Sequence, residues 1–290
     1  MTDHQKGLLL VSLGVVVIIP DATLIRLIDA PSLTTAMWRT GLTSLSIFAY
    51  LGFRYGTRLP DAIRAIGRWG VVSSALSGMG TILFVLAVDN TSVANVVLIL
   101  ALTPLWAAMI TRLARGTPIP RRTIAAMPFA FVGVAIAVGG SLDGALNAGD
   151  GYALWASFGL ALNMTIIRAR SHVDMVPTTG IGGVMGFVTL AAIGTSTELT
   201  PGDLPPLLVL GLVVMPGAMG LMTAGGRHLA SSETTLLILG ETALSPVLAA
   251  IAVDEPLGAA ALTGGALVLI TLFLHGWLGL RENAPAKMPA

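Results

Sequence analysis

Three ionisable residues stand inside long apolar stretches: Asp21, Arg39 and Glu241. A charge held in hydrocarbon costs about 2.5–3.5 kcal/mol on insertion scales, so each calls for a partner, for water or for a task. Asp21 directly follows Pro20, and Arg39 lies in the next apolar run. Both are roughly seven residues, about 10 Å of helix, from the same end of their runs. A short turn joins those runs, so the two side chains can meet. The pairing reads either as a bridge that fixes a hairpin or as an outer gate or clamp for a charged group of a solute. Glu241 lies near the middle of its run, five residues before Pro246. It reads either as a hydrogen-bonded tie between helices or as an acid that binds and releases a proton, as a proton-coupled carrier requires. Asn163, Asn95, Thr103 and Thr242 are further polar candidates for the lining of a cavity. Trp106 and Trp155 read as rings that stack on a ligand or, more simply, that face lipid or core.

Other chemistries lack their residues. The chain has no cysteine, which removes disulfides, thiolate metal sites and cysteine nucleophiles. His4, His172, His228 and His275 are scattered with no His-x-x-x-His pair, and no Asp-Asp-x-x-Asp cluster could hold magnesium. The nearest approach to an intramembrane Gly-x-Ser-Gly nucleophile is Ala75-Leu-Ser-Gly78, without the first glycine. No phosphate-binding loop is present, which argues against ATP-driven pumping by this chain alone. The reading is of a non-enzyme without cofactor or metal.

The elements that must position these residues are dictated by composition. Of 290 residues, 54% are hydrophobic and 11% charged, with a mean hydropathy of +0.85. A water-facing surface ordinarily carries about 25% charge, so most of this surface must face lipid. The net charge of +1 and the absence of basic–aromatic stretches exclude a nucleic-acid partner. Ten runs approach the ~20 residues that a helix needs to cross a bilayer: 7–28, 32–53, 69–88, 91–113, 123–139, 151–168, 177–193, 204–224, 232–253 and 257–278. The runs are apolar on both parities, unlike the alternating strands of a membrane β-barrel. The first run follows Lys6, lacks a small-x-small cleavage site and is taken as a retained helix.

Charge orients the runs. Fourteen of the sixteen Lys and Arg residues fall in connections on one side; Arg26 alone falls on the other, and Arg39 lies inside a run. Basic residues stay in the cytoplasm during insertion. Both termini are therefore expected there, with the chain multi-pass in a plasma (bacterial inner) membrane. Ten helices divide into two sets of five, and an odd number per set inverts the second copy. Short matches support this: Leu9-Leu-Val-Ser-Leu-Gly14 against Leu154-Trp-Ala-Ser-Phe-Gly159, and Leu98-Ile-Leu-Ala-Leu-Thr-Pro104 against Leu237-Ile-Leu-Gly-Glu-Thr-Ala-Leu-Ser-Pro246. Inverted repeats suit alternating access around a site near the midplane. Pro20, Pro104, Pro216 and Pro246 are hinge candidates, since each removes a backbone donor; kinks made for packing are the other reading. Small residues crowd the third, seventh and eighth runs, including Gly182-x-x-x-Gly186, and mark close helix approach.

Several segments resemble the EamA-type branch of the drug/metabolite transporter superfamily. They are Ala36-Met-Trp-Arg39, Thr91-Ser-Val-Ala, Leu102-Thr-Pro104, the Leu237–Pro246 stretch, Asp254-Glu-Pro256 and Gly264-Gly-Ala-Leu-Val-Leu-Ile270. The spacing Glu241, Pro246, Glu255, Pro256, Gly264 is the most specific part. The resemblance implies an all-α membrane protein of ten spanning helices in two inverted repeats, 7–139 and 150–278, with a cytoplasmic tail at 279–290. It implies a secondary transporter of a small metabolite, amino acid or drug-like compound, often an exporter; protons are the candidate coupling ion through Glu241, and the chain is expected to be a monomer or homodimer. One departure is that Leu113-Ala-Arg-Gly-Thr-Pro118 lacks the Gly-Glu pair that usually ends the fourth helix. A channel, or a receptor or scaffold without transport, is the alternative.

Overall fold

A computed structural model describes residues 2–116, 121–139, 147–170, 172–226, 228–229 and 231–283. Helices account for most of them, and there is no strand among the described residues. In chain order they are α1 (Asp3–Ile18), α2 (Asp21–Arg26), α3 (Ser32–Tyr55), α4 (Leu59–Ala65), α5 (Gly67–Asn90), α6 (Val93–Leu100), α7 (Thr103–Arg115), α8 (Arg121–Gly139), α9 (Ala148–Ala169), α10 (Val176–Ala192), α11 (Leu204–Leu208), α12 (Met215–Gly226), α13 (Ser231–Ala252) and α14 (Ala259–Asn283). A π-helical stretch, Val209–Val214, joins α11 to α12.

The ten apolar runs fall on these elements within a few residues. Three runs are interrupted, and each interruption has a proline beside it. Pro20 separates α1 from α2, Pro104 sits in the first turn of α7, and Pro216 follows the π-helical stretch at the start of α12. Without an N–H a proline leaves the preceding turn a carbonyl short of its donor, and a break or a wide turn absorbs the misfit. Pro128 and Pro246 lie inside α8 and α13, whose helical assignment is unbroken. Helix α14 continues to Asn283, so the expected tail at 279–290 begins within that helix, and 284–290 lie outside the described residues.

Five helical stretches are long and apolar enough to cross a membrane: Asp3–Arg26, Gly67–Asn90, Val93–Ala114, Leu204–Met222 and Ala259–Leu278. Thr123–Gly139, Val176–Ala192 and Gly240–Ala252 are shorter apolar helices. Helix α3 is less apolar because it is polar on its inner face: Thr34, Thr35, Arg39, Thr40, Thr43 and Ser44 are all buried. Large apolar side chains instead face outward, with Phe53, Leu113, Val16, Leu45 and Ile251 well exposed. An outer surface this oily is that of a multi-pass membrane protein.

Packing follows glycine. Helix α10 lies between α3 and α5. A Cβ on Gly182 would stand 2.5 Å from the Ser74 carbonyl oxygen, and one on Gly183 would stand 2.6 Å from that of Thr40. The α8–α14 pair closes in the same way at Gly264, where a Cβ would be 2.3 Å from the Gly133 carbonyl oxygen. Other extensive pairings are α5 with α9, α1 with α12, α7 with α9 and α1 with α13. At one end of the bundle the connecting segments are acidic, and at the other they are basic. At the acidic end the Asp29 amide donates to Asp203 at 2.8 Å, and the Thr34 hydroxyl donates to the Ser196 carbonyl at 2.9 Å. At the basic end Tyr55 donates to Asp174, which also pairs with Arg54 at 3.4 Å.

Candidate functional site

Arg39 is carried on the buried face of α3 and Asp21 on the first turn of α2, the short helix created by the break at Pro20. The two meet: Nη2 of Arg39 donates to both carboxylate oxygens of Asp21, at 2.8 and 2.7 Å. Arg39 is 2% exposed and Asp21 6%. The guanidinium lies 5.1 Å from the ring centroid of Phe84 on α5, and Nη2 is 3.3 Å from Sδ of Met215 on α12. Asp21 uses one nitrogen of the guanidinium. Nε and Nη1 of Arg39 are buried and have no hydrogen-bond partner among the described residues.

Glu241 is brought to the same place from the far half of the sequence. Helix α13 packs against α1 and α2, and the Glu241 carboxylate is within electrostatic range of Asp21. Among the described residues no hydrogen bond or ion pair is recorded for it. Asp21 and Arg39 share a low-dielectric interior, where each charge acts more strongly than in water, and Glu241 is partly buried on the helix packed against α2. The structure pairs two of the three residues with which the sequence analysis began and packs the helix that carries the third against α2. Phe84 and Met215 were not foreseen there, because an apolar run does not disclose which of its side chains faces which neighbour.

The other candidates are held elsewhere. Asn163 on α9 accepts from Ser73 of α5, whose hydroxyl also donates to Thr178 of α10 at 3.3 Å. That buried polar knot ties three helices. Asn95 belongs to the acidic end: its amide donates to Thr91 and to Asp150, each at 3.3 Å, while Ser92 caps its backbone N–H. The same network includes Arg26, the one basic residue expected at that end, which donates to the Thr91 carbonyl at 2.6 Å and pairs with Glu255 at 3.3 Å. Thr103 donates to the Leu100 carbonyl at 2.6 Å in the break before α7 and is 3.3 Å from the Ser157 hydroxyl. Thr242 is buried next to Glu241 in sequence. Trp106 packs edge-on against Phe131 and Phe158, whereas Trp155 is 67% exposed on the outer surface.

Two cavities lie away from the charge cluster. One is an apolar groove of about 410 Å³ between α7 and α9, lined by Trp106, Met109, Ile110, Leu113, Phe158 and Leu162 among others. The second, about 490 Å³, opens at the acidic end between Asp29–Pro31 and Ser196–Asp203. No group of three or more metal-ligating side chains occurs among the described residues.

Comparison with known proteins agrees with the distribution of apolar helices. Residues 5–139 match the model of the EamA-like transporter family. The match covers just under half of the chain. The matched family is one of membrane transporters and is not in general an enzymatic one. A solved structure described as "Crystal structure of protein" aligns with 97% of this chain and 99% of its own, at a TM-score of 0.66 and 16% identity. At that identity the likeness shows the fold alone. No curated protein matches the chain.

Proposed function

We propose that this EamA-like protein is a secondary carrier that moves a small solute across the bacterial inner membrane by alternating access around Asp21, Arg39 and Glu241, with export the favoured direction. The observation that carries the reading is the buried cluster itself. It draws Asp21, Arg39 and Phe84 from the first half of the chain and Met215 from the second, and the helix that carries Glu241 packs against α2. A membrane interior keeps ionisable groups only where they are paired or have a task, and a site shared by two halves is one that their relative motion can open to either face.

Packing supports a pair of inverted five-helix repeats, 7–139 and 150–278. Adding five to each span number turns α1–α2 into α9, α3 into α10, α5 into α11–α12, α6–α7 into α13 and α8 into α14. Under that exchange α5·α9 becomes α12·α1, and α7·α9 becomes α13·α1, while α3·α10 and α8·α14 map onto themselves. Each of these pairings occurs. The basic end is the cytoplasmic one in this reading, because positive residues resist translocation; both termini then lie in the cytoplasm. Pro20, Pro104 and Pro216 stand at helix interruptions, where hinging is least costly. Pro246 lies five residues from Glu241. Glu241 is the candidate proton carrier.

A solute screen in proteoliposomes, with and without an imposed pH gradient, tests the proposal. The expected result is saturable uptake of at least one solute, accelerated by the same solute inside, and reduced at least tenfold in Arg39→Ala and Glu241→Gln. Flux that never saturates and shows no counterflow would establish a channel instead.

A further inference from the structure

We infer that Arg39 and Thr43 together form a ledge for a single carboxylate of the transported solute. The inference rests on the carrier reading above and adds the chemical class of the ligand. Its starting point is the set of donors that Asp21 leaves unused. Both Asp21 oxygens bind Nη2. Nε and Nη1 of the same guanidinium are buried without a partner. Leaving a buried donor of a charged group unpaired costs about 1–3 kcal/mol or more, and such groups in native structures mark a missing water, ion or ligand.

Thr43 supplies the independent observation. It lies one turn beyond Arg39 on α3, so the two share a face. Threonine in a helix ordinarily returns its hydroxyl to the carbonyl four residues back. In this chain Thr40, Thr81, Thr111, Thr165, Thr263 and Thr271 all do so. Thr43 does not: it is 7% exposed, and its hydroxyl has no partner among the described residues. Beside it the π-helical stretch comes close, since a Cβ on Gly211 would lie 3.3 Å from the Thr43 amide nitrogen. A buried hydroxyl without a partner and a guanidinium with N–H to spare thus stand on one face of α3, and Arg39 is the only arginine buried among the described residues.

The free groups are donors, so the ligand atom is an oxygen that accepts. A cation would be repelled by the guanidinium. A dianion such as a phosphate monoester would add two charges to a cluster that already holds two acids against one base. A lone carboxylate adds one, and its planar pair of oxygens suits guanidinium N–H donors. Phe84 and Met215 give the remainder of the ligand apolar company.

The test uses the full chain purified in detergent. Thermal unfolding is followed in titrations with benzoate, phenylacetate and hexanoate, each against its uncharged amide. The expected result is a saturable rise in Tm with at least one carboxylate, at an apparent affinity about tenfold or more above its amide, as loss of a charge-assisted hydrogen bond implies. Thr43→Val should weaken that response about fivefold, and Thr43→Ser should restore it. Equal responses to acids and amides, or no response to any of the three acids, would overturn the ledge. Saturable flux of a solute without a carboxylate, joined to silence from the acids, would overturn it too while leaving the carrier reading intact. Acid binding in a chain with no saturable flux would sustain the ledge and remove the carrier.

Discussion

Arg39 and Asp21 stabilise each other only as a pair. Removing one partner of a buried ion pair costs about 3–5 kcal/mol because the other is left uncompensated, whereas replacing both with apolar groups of similar size is often neutral. Arg39→Met alone should therefore lower stability in detergent by about 3–5 kcal/mol, and Asp21→Leu/Arg39→Met together by much less. If the pair were only a structural bridge, the double variant would also transport; the carrier reading expects it to be inactive although folded, and flux measured beside the unfolding curve separates these. At the acidic end, Asp203 offers a pH test outside the spanning helices. Its carboxylate accepts from the Thr200 amide and hydroxyl and from the Asp29 amide, and these bonds hold it below its usual 3.8. A folded value below the unfolded one gives stability that is present above about pH 4 and is lost as pH falls through the folded value. Asp203→Ala should be less stable than the parent at pH 6, with the difference narrowing below pH 4; a constant difference across that range would refute the assignment.

At the scale of elements, glycine decides which helices can approach. Gly182 faces the Ser74 carbonyl, while Gly80 has nothing within 4 Å of its missing Cβ. Gly182→Ala should destabilise by about 1–3 kcal/mol through forced separation of α10 from α5. Gly80→Ala should be neutral or stabilise by about 0.5–1 kcal/mol, since alanine is the better helix former. Unfolding midpoints of the two variants check the contrast. Much at this scale was legible beforehand: the ten runs matched observed helices because length and hydropathy are local properties. The Asp21–Arg39 contact was legible because the two charges sit at equal depth on a short hairpin. Asn95 was not, although Ser92 carried the signal: a capping serine three residues ahead places Asn95 in the first turn, at the end of the bundle. Asn163 looked like a cavity residue because sequence does not say that α5, with Ser73, lies beside α9. Thr43 was invisible for a subtler reason, since what sets it apart is a hydrogen bond that six other helical threonines make and it does not.

Over the whole molecule, the charge cluster lies between two sets of end contacts: Asp29 with Asp203 at the acidic end, and Tyr55 and Arg54 with Asp174 at the basic end. A carrier should open these ends in turn. Because the chain has no cysteine, a single Met215→Cys beside Arg39 reports access to the cluster without background. The deciding measurement is its rate of modification by an impermeant maleimide from each face of oriented vesicles, with Asp174 intact and with Asp174→Ala. Alternating access requires modification from both faces, with the loosened basic end raising the cytoplasmic rate and lowering the rate from the opposite face. Two rates that rise together, or a thiol reached from one face alone in both backgrounds, would contradict it.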